Sequence, residues 1–375
     1  MFRNLKLDSR LWREMNKSVL FTTILITCFG IFNIYLATYN EWGFEYAMKQ
    51  TIFFGISLVV MYIMLVWDYT IIYDYVEIFY WFSIFLLFIT RFIGETVNGA
   101  KGWIQLGGGI SIQPSEIAKI AMIMMIGKQL QKTDGNINGL KNFIVCTIYA
   151  GIPMALIVVQ PDMGMTLVCF FMVLGIYYCM GLNIKIILGG FIAMAITVAL
   201  IWNSGFIKSY QKARLVGFLN PNQDELGINL QLNQSMIGIG SGGFFGIGPE
   251  MNVKGGGYAA EFVPERQTDF IFTVIGEHWG TLGAIVLLIL YFILISGIID
   301  TARKSKDVFG RVICVGISSY FIFAILQNIG MTIGLMPITG ITLPMVSYGG
   351  SSLLTTLMTL GLVLNISMRK KRLKF

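Results

Sequence analysis

Glu261, Glu265, Arg266 and Asp269 fall within nine residues and stop abruptly against the apolar run that opens at Phe270. Pro264 breaks any preceding helix, Thr268 is suited to cap the next one, and Asp269 then occupies its first turn, facing the positive end of the helix dipole. Opposing influences act on a carboxylate at such a border. The dipole and nearby Arg266 favour the ionised form, whereas partial desolvation favours the neutral one. That balance suits a general base or proton acceptor, and the plainer alternative is a capping acid. His278, the only histidine, lies deeper in the same run and reads as a packed core residue rather than a ligand.

Other polar residues stand where apolar sequence surrounds them, and each needs a structural partner or a task. Glu116 and Lys119 are three apart, so on a helix they share a face. They read either as an ion pair that neutralises itself or as a functional pair. Lys101, in Asn98-Gly99-Ala100-Lys101-Gly102-Trp103-Ile104, follows a turn that leads into an amphipathic stretch; it reads as a solvated lysine or as a point charge for phosphate. Asp162, in Gln160-Pro161-Asp162, is placed to cap the following helix. The glycine run Gly238 to Gly248 lacks a preceding strand and a following Lys-Ser/Thr, so it is no nucleotide loop, and flexible backbone beside a site or tight packing explains it better. Gly276 and Gly280, and Gly330 and Gly334, have the spacing of close helix packing. Ser347, Gly349 and Gly350 lie in a small, polar stretch after Pro344, where irregular backbone is expected to line a cavity.

The elements that must position these residues follow from composition. Charged residues make up 13% of the 375 positions and apolar ones 55%, which argues against a water-soluble globule. From Val312 to Met368 there is no Asp, Glu, Lys or Arg at all, a length that only membrane sequence uses. Apolar runs predict an all-α polytopic protein with ten spans. They are 18–40, 50–67, 70–92, 114–130, 142–161, 163–184, 186–207, 278–299 and two within 312–368 divided near Pro337 and Pro344. With the N-terminus inside, 18 of the 27 Lys and Arg fall on the inner side, as the positive-inside rule requires. The chain then reads as one membrane domain, 1–375. Residues 1–17 and the basic tail 369–375 are cytoplasmic, and 205–267 form a large outer loop between spans 7 and 8. The +7 balance collects at the ends of apolar runs and forms no basic stripe interleaved with aromatics, so nucleic-acid binding is excluded. The five cysteines lack CxxC spacing and read as small buried hydrophobes.

Taken together, these motifs resemble the SEDS family of bacterial cell-wall polymerases, from end to end. The resemblance is carried by Asn98-Gly99-Ala100-Lys101, Pro114-Ser115-Glu116 with Lys119, Gln160-Pro161-Asp162, Arg214 with Phe218-Leu219-Asn220-Pro221, and Gln234-Ser235. The glycine run, Pro264-Glu265-Arg266 with Thr268-Asp269-Phe270, and Pro344 with Ser347-Tyr348-Gly349-Gly350-Ser351 complete it. Arg266 after Pro-Glu looks like the rod-shape, elongation branch. Gln267, Met165 and Gly102 depart from the usual pattern, Gly102 standing where a basic residue is frequent.

The resemblance implies a peptidoglycan glycosyltransferase in the cytoplasmic membrane that polymerises lipid II and releases undecaprenyl pyrophosphate. Mg2+ or Mn2+ would stimulate it, no nucleotide is involved, and a class B penicillin-binding protein is its partner. It further implies that Asp269 is the general base of an inverting transfer. Lys101, Lys119 and Arg214 would hold pyrophosphate, with Glu116, Ser347, Gly349 and Gly350 around the substrate. Glu261, Glu265, Arg266 and Asp162 would support, and Asp269, Glu265 and Glu116 are the candidates for metal. Two other readings compete: a lipid II flippase, which needs a cationic path from the inner face, and a non-catalytic scaffold for the penicillin-binding protein, in which Asp269 is only a cap.

Overall fold

The computed structural model describes residues 9–97, 100–107, 110–201, 212, 218, 229–248 and 259–369. A short amphipathic helix, α1 (Ser9–Glu14), precedes α2 (Lys17–Trp42), α3 (Glu45–Val66) and α4 (Tyr69–Ile93). After a small sheet come α5 (Pro114–Gln131), α6 (Leu140–Val159), α7 (Met163–Cys179) and α8 (Ile184–Ile201). The last part holds α9 (Asn229–Ser241), a 3-10 turn (Ala259–Phe262), α10 (Ile271–Lys304), α11 (Val308–Thr332) and α12 (Gly350–Met368). Among the described residues, each apolar segment expected to span contains a helix, and the end of the 186–207 segment lies outside those residues. Seven of these helices are long and apolar enough to cross a membrane: α2, α3, α4, α6, α10, α11 and α12. Helix α5 falls outside that set because Glu116, Lys119 and Lys128 interrupt it, yet it is among the most deeply buried.

The all-α expectation needs one amendment. Where a turn and an amphipathic stretch were expected, β1 (Glu95–Val97), β2 (Ala100–Gly107) and β3 (Ile110–Ile112) form an antiparallel sheet in the order β1-β2-β3. Glu95 pairs with Trp103, and Ile104 with Ile112. The β-branched and aromatic residues of this stretch favour extended backbone, which a reading weighted toward membrane helices overlooks.

Helix α12 is the central element, with 83% of its apolar window buried, whereas α3 and α6 bury only 22% of theirs. It packs on α3, while α10 packs on α2 and α11, and α5 lies among α4, α6 and α11. Large apolar side chains such as Phe82, Phe85, Phe92 and Phe292 remain exposed on the outer helices, a surface that only hydrocarbon would cover favourably. At one end of the bundle, Arg369 pairs with Asp68 at 3.0 Å, the Tyr69 hydroxyl donates to Asp307 Oδ2 at 2.6 Å, and Phe309 N donates to Gln131 Oε1 at 3.0 Å. The sheet, the Asp162 turn and the loop 333–349 lie together at the other end.

Helix α10 is really two helices. Gly280 has φ 62° and ψ −164°, values only glycine adopts readily, and they break the chain of intrahelical bonds. The glycine run repairs the break. Ile247 N and Gly248 N donate to Glu277 O and His278 O at 3.0 and 3.1 Å, while Thr281 N and Leu282 N donate to Gly243 O and Phe244 O at 3.0 and 3.1 Å. A Cβ on Gly242 would stand 2.0 Å from Gly276 O, and one on Gly246 2.2 Å from His278 O, so these residues let two backbones touch. The expected close helix packing is found at Gly276 and is corrected at Gly280 and Gly330, which face loop residues. Gly276 faces Ile239 of α9, Gly280 faces Gly246 and Phe244, and Gly330 faces Met336 of the next loop.

Candidate active site

Asp269 stands in the turn before α10, one residue before the N-cap Phe270, and it is half-buried. The helix begins at Ile271, and Phe270 makes no side-chain capping bond. Two expectations fall here. Thr268 is no cap, because its hydroxyl donates back to Glu265 O at 3.1 Å and Glu265 Oε2 at 3.0 Å, and Asp269 is not in the first helical turn. The turn closes instead through Phe270 N donating to Glu265 O at 3.3 Å, with Glu265 in the left-handed region at φ 57°.

Arg266 does not serve Asp269 either. Its guanidinium is buried against α2, where Nε donates to Ala37 O at 2.7 Å and Nη2 pairs with Glu41 Oε1 at 2.6 Å. Nη1 donates to the Glu261 carbonyl at 2.5 Å, and the Glu261 carboxylate accepts from Asn40. Arg266 and Glu261 thus anchor the Asp269 turn to the end of α2. Guanidinium geometry, with donors pointing three ways, is what makes one residue sufficient for that.

The loop 333–349 faces this turn. Gly340, at φ 73°, presents no side chain, and a Cβ built there would lie 3.3 Å from Asp269 Oδ2. Tyr348 N donates to Gln267 O at 2.8 Å, and Asn328 Nδ2 donates to both Asp269 O and Ile341 O at 2.8 Å. Ser347 is buried, and its hydroxyl accepts from Leu343 N at 2.8 Å. Gln50 Nε2 donates to Ser347 O at 3.3 Å, and its Oε1 accepts from Gly349 N at 3.2 Å. Gly350 lets α12 begin against the Phe53 ring, which a Cβ would meet at 2.6 Å. Ser347, Gly349 and Gly350 therefore shape the loop through internal bonds and packing.

The same loop reaches the second polar cluster. A Cβ on Gly164 would stand 2.8 Å from Thr339 O, and Gly164 follows the Asp162 turn by two residues. Asp162 caps α7 as expected, Oδ1 accepting from Met165 N at 2.9 Å, and Oδ2 accepts from Gln113 Nε2 at 3.1 Å. Desolvation raises the proton affinity of the Asp162 carboxyl above the ordinary carboxylate range, and the neighbouring Glu116 charge adds to that; the bonds from Met165 N and Gln113 offset part of it. Gln113 N in turn donates to Ser351 Oγ at 3.3 Å. Glu116 and Lys119 meet at 2.8 Å, both side chains nearly inaccessible. The Thr355 hydroxyl donates to Glu116 Oε2 at 2.6 Å, and the Lys119 ammonium lies 3.9 Å from the Tyr320 ring centre. Between the two readings of this pair, self-neutralisation is the geometry observed. Lys101 is tied to the cluster through Lys101 N donating to Gln160 O at 3.1 Å, and its ammonium donates to Phe92 O at 3.2 Å at the end of α4.

Asp269, Asp162 and the Glu116-Lys119 pair thus share one end of the bundle, joined by the loop 333–349. Arg214 lies outside the described residues, as does most of the expected outer loop 205–267. Among the metal candidates, Glu116 is committed to Lys119 and Thr355, and Glu265 to Thr268 within its own turn. No group of three His, Cys, Asp or Glu comes together among the described residues.

Sequence reasoning missed Gln50, Asn328 and Glu277, all buried. Glu277 accepts from Ala260 N at 2.8 Å and Ser241 Oγ at 3.1 Å, beside His278, whose Nδ1 hydrogen-bonds with Gly248 O at 2.8 Å as a packed residue. For Gln50 and Asn328 the signal was an uncharged polar side chain inside apolar sequence, which counting charges alone does not weigh, whereas Glu277 is a charge at the border of the 278–299 run.

A many-helix membrane bundle with polar residues gathered at one end defines the class, and comparison with known proteins defines the family. The sequence profile of the FtsW/RodA/SpoVE family, described as cell cycle protein, matches residues 16–372, and the chain belongs to that family. It is 35% identical over 368 residues to the probable peptidoglycan glycosyltransferase FtsW of Trichlorobacter lovleyi, covering 94% of this chain and 93% of that one. It is 30% identical over 426 residues to the peptidoglycan glycosyltransferase RodA of Treponema pallidum, covering 94% and 97%. In structure it is similar to a chain solved under the description of polymerization and crosslinking coordinated by a peptidoglycan synthase complex. That match has a TM-score of 0.81 at 28% identity and covers 94% of this chain and 97% of the other.

Proposed function

We propose that this chain is a peptidoglycan glycosyltransferase that polymerises lipid II at the outer face of the cytoplasmic membrane during elongation. The observation that carries the reading is the setting of Asp269: a half-buried carboxylate at the polar end of an apolar bundle, with Gly340 presenting no side chain toward Oδ2. The 4-hydroxyl oxygen of the incoming GlcNAc attacks the anomeric carbon of the lipid-linked chain. Asp269 takes the hydroxyl proton as the new glycosidic bond forms. The bond from that carbon to the pyrophosphate oxygen breaks, undecaprenyl pyrophosphate leaves with the electron pair, and the centre inverts.

Lys101 stands at the outer edge of the cluster and holds pyrophosphate charge, the role the sequence also gives to Arg214. The Lys119 ammonium is turned toward Glu116 and Tyr320 and keeps the cluster neutral. The elongation assignment rests on Arg266 after Pro-Glu, and a class B penicillin-binding protein is the expected partner for crosslinking.

The test is polymerisation of lipid II by the purified protein with its partner, comparing wild type with Asp269→Asn. Loss of roughly 10²- to 10⁴-fold in rate, with folding and partner binding unchanged, is expected of a missing base. Full activity in Asp269→Asn overturns the base. It would favour the scaffold reading, although the capping role that reading gave Asp269 has no counterpart in the turn observed.

A further inference from the structure

Asn328 lies in α11 within the charge-free run and has no solvent exposure. Its Nδ2 carries two N–H groups, and both are used. One donates to Asp269 O and the other to Ile341 O, each at 2.8 Å. These carbonyls belong to segments 72 residues apart in sequence, and nothing local holds them in register. Ile341 is the neighbour of Gly340, whose bare Cα faces Asp269 Oδ2. Together with the bond from Tyr348 N to Gln267 O, this amide therefore sets the spacing between the turn that carries the carboxylate and the loop that borders it, and it is the contact made at Asp269 itself.

The side chain is oriented by its donors alone, since among the described residues Asn328 Oδ1 has no hydrogen-bond partner. A buried amide with an unmet acceptor is costly, and an apolar residue of the same shape would fill the space without that cost. Packing does not account for an amide here, but the two donated bonds do. The adjacent Gln327 makes the contrast. It is also buried, and its Nε2 donates to Pro337 O of the same loop at 2.8 Å, but it makes no bond to the Asp269 turn.

We propose that Asn328 is a positioning residue for glycosyl transfer, an amide clamp that fixes where the Asp269 carboxylate stands relative to the incoming hydroxyl. The proposal rests on Asp269 being the base and goes beyond it. A clamp of this kind acts on the reacting geometry and leaves substrate binding largely alone, so it is expressed in kcat rather than KM.

The test compares Asn328→Asp, which keeps the shape and removes both donors, with Asn328→Leu and with the control Gln327→Glu, in the full-length protein with its partner. Lipid II polymerisation, thermal melting and hydrogen exchange of the 263–270 backbone are followed together. Both Asn328 variants should lose roughly 10- to 100-fold in kcat, the cost of about 1 Å of misplacement, with KM within about twofold. Backbone amides around Phe270 should exchange faster in both. Gln327→Glu, which also deletes an amide bond to the loop, should stay within about threefold of wild-type kcat and leave that exchange unchanged. Equal losses in the Asn328 and Gln327 variants, in step with their melting temperatures, would reduce Asn328 to general loop support and overturn the clamp. So would wild-type kcat in both Asn328 variants beside an inactive Asp269→Asn. An active Asp269→Asn instead removes the base on which the proposal stands.

Discussion

At the residue scale, the candidate site depends as much on a missing side chain as on the carboxylate. Gly340 occupies the left-handed region at φ 73° and presents no side chain to Asp269 Oδ2, so Gly340→Ala adds both backbone strain and a methyl 3.3 Å from that oxygen. Polymerisation by this variant should fall at least about 10-fold while the protein still folds, since the strain is only about 1–2 kcal/mol. A rate within about twofold of wild type would show that the hydroxyl approaches from another side. Asp162 gives a pH signature. Its folded-state proton affinity is raised by desolvation, so the folded state binds the proton more tightly than the unfolded one. Stability from this group is thus full below the ordinary carboxylate range and is lost as pH rises through the elevated folded value. Asp162→Asn keeps the cap and drops the desolvated charge. At pH 7 it should melt no lower than wild type, within about 1 kcal/mol or above, and its advantage should shrink on acidification. A clear loss at pH 7 would mean that the ionised carboxylate is needed where it stands.

At the scale of elements, the interrupted helix α10 matters most. Its broken bonds around Gly280 are replaced by donors and acceptors of residues 243–248, so the glycine run is part of the helix's own hydrogen bonding. Gly280→Ala would place Cβ 2.4 Å from Gly246 N and 2.7 Å from Phe244 O at a left-handed backbone, and these are backbone atoms that cannot swing aside as a side chain would. Destabilisation of about 2 kcal/mol or more is expected, read as a lower melting temperature in detergent. An unchanged melt would mean that the break is not held by this contact. The Asp269 turn lies one short helix away, anchored to α2 by Arg266 and to α11 by Asn328. Sequence alone showed that charges crowd there. It misjudged which residue each charge serves, because Arg266 pairs with Glu41, some 225 positions away.

At the scale of the whole molecule, hydrogen bonds sort the loops to two ends. The 94–113, 160–162 and 333–349 segments meet at one, and the segments around Asp68, Gln131, Asp307 and Arg369 at the other. The orientation read from basic residues puts the first set outside. Cysteine labelling checks this, in a background without the exposed Cys28 and Cys179. A membrane-impermeant thiol reagent should modify Glu95→Cys in intact cells and Lys132→Cys only after permeabilisation. The reverse pattern would turn the protein over and place the candidate site in the cytoplasm. Membrane class and the helical character of the apolar segments were legible in the sequence, because hydrocarbon imposes length and apolarity on each helix separately. The sheet at 95–112 was the local exception, where β-forming residues were read through a helical expectation. Only the tertiary structure decided that Glu116 answers Lys119, that Gln50 and Asn328 brace the loop, and that Gly340 faces Asp269. Inside a membrane bundle, buried polar groups must find partners within the protein, and those partners lie on helices whose proximity no local pattern encodes.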